Sequence, residues 1–114
     1  MNIESFLKKL KQDPKNIAFS ETIDTIEANY DFTPTAFQNG NTHNAAGVNS
    51  GSCKLFAFAQ MQQLSKDETL ACFGSYYFDE VLGDPEGTNH QNIRNFMETA
   101  WDGIQFEGMA LGMK

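Results

Sequence analysis

Valine, arginine and positive charge are scarce in this chain of 114 residues. Valine occurs only at Val48 and Val81, and because β-branched residues favour strands, this scarcity argues against a β-sandwich. Arg94 is the single arginine, and eight basic residues against fifteen acidic ones give a formal net charge of −7. The phosphate attraction that drives binding to nucleic acids and anionic membranes is therefore missing. We predict no nucleic-acid partner and no membrane partner.

Long apolar runs are also missing. No apolar stretch approaches the roughly 20 residues that cross a bilayer, and the amino-terminal segment MNIESFLKKLKQDP lacks the uninterrupted apolar core of a signal peptide. The two cysteines, Cys53 and Cys72, are predicted to be reduced thiols, because a phenylalanine-rich chain of this length does not require a disulfide. These absences predict a cytoplasmic protein without a standard export signal.

The chain does contain ten phenylalanines, and its apolar residues recur at helical spacing. The spacing predicts helices over about residues 3–11, 20–30, 50–64, 66–73 and 90–101, and the first half of the third helix is predicted to be the most buried. The segments FTPTAFQ and IQFEGMAL predict two short strands that pair with each other. We therefore predict a monomeric, mostly helical α+β domain over residues 1–114, with about five helices and a small two-stranded antiparallel element.

Four segments, in this order, resemble bacterial proteins of the HopJ type III effector family: YDFTPTAFQNG, NAAGVNSGSCKLFAFAQ, TLACFGSYYFDEVLGDPEGTNHQNIRNFM and WDGIQFEGMAL. Four matches at the right spacing are far more specific than one short motif. The resemblance implies a protein that a type III secretion system injects into host cells and that acts by binding a protein partner, in the host or in the bacterium. It implies no catalytic residue and no cofactor.

Cys53 is the first candidate catalytic residue. It lies in the string GSCK at the start of a predicted helix, where free backbone amides, the positive end of the helix dipole and Lys54 favour a thiolate. His90 or His43 would then serve as the base of a small hydrolase or transferase. The alternative is a buried, inert thiol, because Cys53 shares a helix face with apolar residues. No CxxC, HExxH or HxH string is present, so the sequence predicts no metal site.

The long loop before that helix is the second candidate site. Its string NAAGVNSGS is rich in asparagine and glycine, and a loop of this kind that leads into a helix supplies amide donors for a small anion or another small ligand. The loop residues concerned are Asn49, Ser50, Gly51 and Ser52. The loop lacks the glycine patterns GxxxxGKS and GxGxxG that are typical of nucleotide-binding loops.

Arg94 and Trp101 on the last predicted helix are further candidate ligand contacts. The planar fork of a lone arginine suits a carboxylate or a phosphate. Arg94 is equally predicted to anchor its helix to an acidic residue nearby in the chain, such as Asp79, Glu80 or Asp84, and Trp101 is equally predicted to lie in the core. The sequence thus leaves three functions open: an interaction protein, a cysteine-dependent enzyme and a small-ligand binding module.

Overall fold

Residues 2–114, which the computed structural model describes, form five α-helices, one π-helical segment and five short strands. The α-helices are α1 (Ile3–Gln12), α2 (Phe19–Asn29), α3 (Ser50–Met61), α4 (Lys66–Ala71) and α5 (Gln91–Thr99). The π-helical segment is Tyr76–Val81, and short 3₁₀ helices lie at Pro14–Asn16 and Ala100–Gly103. The strands are β1 (Tyr30–Phe32), β2 (Phe37–Asn39), β3 (Thr42–Asn44), β4 (Ile104–Phe106) and β5 (Leu111–Met113). The predicted α+β, mostly helical fold is confirmed.

Helix α3 lies at the centre of the hydrophobic core, as its composition predicts. Its apolar run over residues 55–59 is buried on every side. Phe58 meets α1 through an edge contact with the ring of Phe6, and Phe56 meets α5 through the ring of Phe96, with 5.0 Å between the ring centroids. Each buried phenylalanine contributes roughly 1.5–3 kcal/mol to folding. The helices on either side of α3 are therefore positioned by its aromatic side chains.

The two segments predicted to pair do so, but they form two sheets instead of one. In the two-stranded sheet, β1 runs antiparallel to β5, with Phe32 opposite Leu111. In the three-stranded sheet, β2 lies between β3 and β4, with Phe37 opposite Phe106. Pro34 lies between β1 and β2 and has no N–H to donate to a ladder, which separates the two pairings. The single predicted two-stranded element is thereby corrected to two antiparallel sheets.

Two helix ends also differ from the predicted ones. Helix α2 ends at Asn29, because the extended backbone of Tyr30 begins β1 instead of completing the helix. Helix α5 follows His90, whose backbone is left-handed with φ of 52°. The helix predicted over residues 90–101 therefore begins at Gln91 and ends at Thr99. This start of α5 positions the candidate site.

Candidate functional site

A cleft of about 480 Å³ opens between the first turns of α3 and α5. Polar side chains from β3, the loop after it and α5 line one part: Thr42, Asn44, Asn49, Gln91 and Asn92. Aromatic rings from α2 and from the segment after α4 line another part: Phe19, Phe73 and Tyr76. Gly51, Ser52 and His90 also line the cleft. The volume and the mixture of apolar and polar groups are typical of ligand-binding clefts.

The cleft brings together most of the predicted loop residues. Asn49, Gly51 and Ser52 all line it, and His90 joins them from the start of α5. Ser50, the first residue of α3, is half-buried and is not one of the lining residues. A concave surface at the Asn/Gly-rich loop is thus present, as the ligand-binding interpretation of the sequence requires.

An asparagine network holds the polar walls of the cleft together. Asn44 and Asn92 exchange side-chain hydrogen bonds, with Nδ2 to Oδ1 distances of 3.2 and 3.0 Å. Asn49 donates to the Asn44 carboxamide oxygen at 2.7 Å, and Asn39 donates to the backbone carbonyl of Asn92 at 2.9 Å. Asn39, Asn44 and Asn92 are buried. These hydrogen bonds join the β2–β3 hairpin to α5 and restrain it there. Within residues 2–114, Oδ1 of Asn39 is buried and has no hydrogen-bond partner.

Both helices that open on the cleft start in the same unusual way. The residues before their first turns, Asn49 and His90, have left-handed backbones with φ of 55° and 52°. Within the described part of the chain, neither side chain accepts a hydrogen bond from its own helix. The first amides of a helix also have no intrahelical acceptor. The cleft therefore offers N–H donors at the positive ends of two helix dipoles.

Gly51 allows α3 to start close against the aromatic wall of the cleft. A Cβ atom at this position would lie 3.1 Å from Cζ of Phe19, so a larger residue would displace that ring. Phe19 in turn stacks on Phe73, with ring centroids 6.1 Å apart, and meets Tyr76 edge-on at 5.3 Å. The glycine thus sets the spacing between the loop and the three rings.

His90 is held by two residues of the π-helical segment. Its Nε2 lies 2.9 Å from Oε1 of Glu80, and its ring centroid lies 5.2 Å from that of Tyr76. Because an ionised carboxylate only accepts hydrogen bonds, Nε2 donates and carries the proton. His43 is exposed instead, and its Nε2 lies 3.8 Å from Oε2 of Glu107. The structure brings His90 to the cleft but not His43.

Cys53 does not have the surroundings of a nucleophile. Cys53 is 2% exposed, and burial raises the pKa of the thiol above its ordinary value, although a backbone hydrogen bond with Thr35 and the charge of Lys54 oppose the shift. The Lys54 ammonium is itself engaged with the Glu27 carboxylate at 3.1 Å. Neither histidine is hydrogen-bonded to the thiol among residues 2–114. The cysteine-dependent mechanism therefore loses its structural basis.

Both thiols are expected to react slowly with alkylating reagents in the folded protein. Cys53 and Cys72 are free and buried, as predicted, and burial raises the pKa of Cys72 to about 12. Each pKa unit lowers the thiolate fraction about tenfold, and the thiolate is the reactive form. Iodoacetamide labelling with and without denaturant, followed by mass spectrometry, measures the difference. Rapid labelling of native Cys53 would restore the nucleophile hypothesis.

Arg94 lies outside the cleft, where its guanidinium binds backbone carbonyls. It donates to the carbonyls of Asp84 at 2.9 Å, Pro85 at 3.3 Å and Asn89 at 2.6 Å, and to Oδ1 of Asn89 at 2.7 Å. Among the described residues it forms no ion pair. The predicted anchoring role is thus served by carbonyl oxygens instead of acidic side chains, and Arg94 is not brought to the loop.

The Arg94→Ala variant is expected to lower the free energy of unfolding by about 1–2 kcal/mol, because several charge-assisted hydrogen bonds on a half-exposed side chain are lost. The Arg94→Lys variant should recover less than half of this loss, since an ammonium lacks the planar, five-donor geometry that lets the guanidinium reach three backbone carbonyls and the Asn89 side chain together. Urea unfolding of the two variants and the wild type provides the comparison. Equal midpoints for all three proteins would contradict the anchoring role.

Trp101 packs against the core and away from the cleft. Its ring meets Phe96 and Phe56 edge-on, with centroid distances of 5.1 and 6.5 Å. The indole Nε1–H donates to the Leu64 carbonyl at 2.9 Å. The polar atom of the tryptophan is therefore already satisfied within the protein, and the structure gives this residue a packing role rather than a ligand contact.

Residues 2–114 contain neither a metal-binding cluster nor a membrane-spanning helix. No group of three or more histidine, cysteine, aspartate or glutamate side chains lies close enough together to hold a metal ion. No helix in this part of the chain has both the length and the apolar character to cross a membrane.

The comparisons with known proteins agree with the fold and the sequence segments. The family model described as HopJ type III effector protein matches residues 3–111. The chain belongs to the HopJ type III effector family. The crystal structure of VPA0580, a protein of unknown function, is 55% identical to this HopJ chain and superposes with a TM-score of 0.98, covering 100% of this chain and 95% of the other. The comparison with curated proteins gave no match.

Several residues of the HopJ cleft were not predicted from the sequence. Phe19 and Phe73 belong to apolar segments with helical spacing, which is typical of core residues, and Asn44 and Asn92 belong to no recognised motif. A signal exists only for the asparagines: they recur at positions 39, 44, 49, 92 and 95, and asparagine on short strands and in a helix interior is disfavoured by propensity. Asparagine at these positions therefore indicates a network of side-chain hydrogen bonds. For Glu80, the sequence predicted only that its carboxylate could be the partner of Arg94.

Proposed function

We propose that this HopJ protein acts by binding, and that its cleft receives a polar segment of a protein partner. The observation that carries the proposal is the cleft itself. It combines uncapped amides of two helices, carboxamide side chains and a wall of three aromatic rings. Backbone amides and carboxamides suit carbonyl and carboxylate groups of a polypeptide, while the rings suit an apolar side chain.

Binding is supported better than cysteine chemistry. A nucleophilic cysteine needs an accessible thiolate beside a base, whereas Cys53 is buried and donates to a carbonyl. By contrast, a rigid asparagine network requires no reaction to explain it. It keeps the cleft in one shape before a partner arrives, which lowers the ordering cost of binding.

The binding proposal is tested by filling the cleft. Ser52, the third residue of α3, lines the cleft, and Ser52→Trp would occupy it. Ser5, the third residue of α1, is exposed and is not among the residues that line the cleft, so Ser5→Trp is the matched control. Partners captured from infected host cells and from the bacterium are purified and titrated against all three proteins. We expect Ser52→Trp to weaken binding at least about tenfold, which corresponds to about 1.4 kcal/mol, and Ser5→Trp to leave it unchanged.

Equal binding by the wild type and by Ser52→Trp would contradict the proposal. An equal loss in Ser5→Trp would show that the added tryptophan, rather than its place, weakens binding. Circular dichroism and the urea midpoint of each variant establish that both serine variants are folded before the titration.

We also propose that the chain is exported by a type III secretion system, which its family membership supports. The test fuses a reporter to the full chain, because α1 begins at Ile3 and its Phe6 is part of the core. A truncated fusion would therefore disrupt the domain as well as any export signal. We expect export that disappears when the secretion apparatus is disabled. Retention in the producing cell under inducing conditions would contradict the proposal.

A further inference from the structure

His90 and Glu80 form a paired imidazole and carboxylate at the edge of the cleft. The Glu80 carboxylate accepts from Nε2–H at 2.9 Å, and this hydrogen bond fixes the tautomer in which Nδ1 carries the lone pair. Over residues 2–114, Nδ1 has no protein donor. The imidazole is 27% exposed, so the ring is partly sheltered yet reachable from the cleft. An oriented imidazole with a free lone pair is the arrangement of a general base.

The position of the pair is fixed from two sides. Tyr76 and Glu80 both belong to the π-helical segment, and both contact the His90 ring. The His90 backbone is held at φ of 52°, a conformation that is uncommon for a residue other than glycine. Both π-helical turns and strained backbones are found frequently at functional sites. The histidine is therefore oriented by its surroundings rather than free to rotate.

We propose that His90 is a general base in the cleft, that Glu80 is its positioning residue, and that the cleft hydrolyses small carboxylic esters. In this step the Nδ1 lone pair of His90 takes a proton from a water molecule. The water oxygen forms a bond to the ester carbonyl carbon, and the resulting tetrahedral intermediate expels the alcohol oxygen. The imidazolium returns the proton to that oxygen, so one water is consumed and an acid and an alcohol are released.

The other groups of the cleft suit this reaction. Gly51 and Ser52 lie in the first turn of α3, where amides are free to donate to the negatively charged oxygen that develops on the carbonyl. The rings of Phe19 and Tyr76 supply apolar contact for the acyl or alcohol group. The inference uses the same cleft as the proposed function, but it requires no partner protein.

The test measures the hydrolysis of p-nitrophenyl acetate by the purified chain. His90→Gln removes the base and keeps a polar side chain of similar size. His43→Gln is the matched control, because His43 is the other histidine, also faces a glutamate, and lies outside the cleft. We expect the second-order rate constant to fall at least about tenfold in His90→Gln, since general-base catalysis contributes 10²–10⁴-fold, and to stay unchanged in His43→Gln.

The role of Glu80 is tested by measuring kcat and KM separately. Glu80→Gln keeps an oxygen that accepts from Nε2 but removes the negative charge that stabilises the imidazolium formed in the reaction. We expect kcat to fall while KM stays unchanged, because the cleft that holds the ester is intact. A merely structural role of Glu80 would lower the urea midpoint and leave kcat unchanged.

Three outcomes would overturn the inference. The wild-type rate could equal that of the same concentration of free imidazole, His90→Gln could match the wild type, or both histidine variants could lose the same fraction. Urea midpoints within experimental error of the wild type ensure that the His90 variant is folded. A chain that binds its partner but fails this assay would contradict the inference and leave the proposed function intact. Hydrolysis of the ester by the wild type, together with unchanged partner binding after Ser52→Trp, would support the inference and contradict the proposed function.

Discussion

Replacing Phe56 by alanine is expected to lower the free energy of unfolding by about 4 kcal/mol. The side chain is fully buried at the middle of α3, and its ring contacts those of Phe37, Phe73 and Phe96, which come from β2, the segment after α4, and α5. Alanine would leave a cavity, because β2, the segment after α4 and α5 cannot all move in to fill the space of the lost ring. Urea unfolding monitored by tryptophan fluorescence measures the loss.

A loss of this size is a large part of the stability of a small domain, and the alanine variant could be unfolded. The Phe56→Leu variant then provides a folded protein in which the loss of stability can be measured. Leucine should lower the stability by about 1–1.5 kcal/mol, because it refills most of the volume. Met109 is 82% exposed, and Met109→Ala is the control that should stay within about 0.5 kcal/mol of the wild type. A Phe56→Ala loss below about 1.5 kcal/mol would contradict the central position of α3.

The Asn92→Ala variant is expected to lower the free energy of unfolding by about 3 kcal/mol. It removes the reciprocal hydrogen bonds with Asn44 and one acceptor of Asn39, and buried polar groups left without partners cost about 1–3 kcal/mol each. Gln91 is the neighbouring amide residue; it is exposed and makes one side-chain hydrogen bond, to Oδ1 of Asn95 at 2.9 Å, so Gln91→Ala should cost no more than about 1 kcal/mol. Denaturant midpoints of both variants provide the measurement.

The asparagine variant also has an expected effect on the cleft. Without Asn92, the β2–β3 hairpin retains fewer bonds to α5, so amide hydrogen exchange at residues 42–52 should become faster than in Gln91→Ala. Unchanged exchange in that segment, together with an unchanged midpoint, would show that the network does not fix the walls of the cleft.

The helical core was predictable because its signals are local. The run from Leu55 to Ala59 is apolar on all sides, which indicates a central helix without knowledge of its neighbours. Ser65 and Glu68 likewise have the three-residue spacing of a capping box at the start of α4. The structure contains both hydrogen bonds of this box. Local periodicity and capping chemistry thus account for most of the helices.

The sequence pointed to the loop residues Asn49, Gly51 and Ser52 of the cleft, but the other walls were not predictable, because they meet the loop over long sequence distances. Phe19 and Phe73 stack although 54 positions separate them, and Asn44 meets Asn92 across 48 positions. The partner of Arg94 was misassigned for a different reason. Backbone carbonyls carry no side-chain signature, so the sequence pointed to the acidic residues near Arg94 while the folded turn presents its carbonyl oxygens.

Amide chemical shifts provide the most direct test of the claim that the cleft is the binding site. A ¹H–¹⁵N spectrum of the labelled chain is recorded while the purified partner protein is added to saturation. The account predicts that the largest shift changes or losses of signal fall on the first turns of α3 and α5, at Gly51, Ser52, Gln91 and Asn92. Changes confined to a surface away from the cleft, such as the exposed Met109 and Met113, would contradict it.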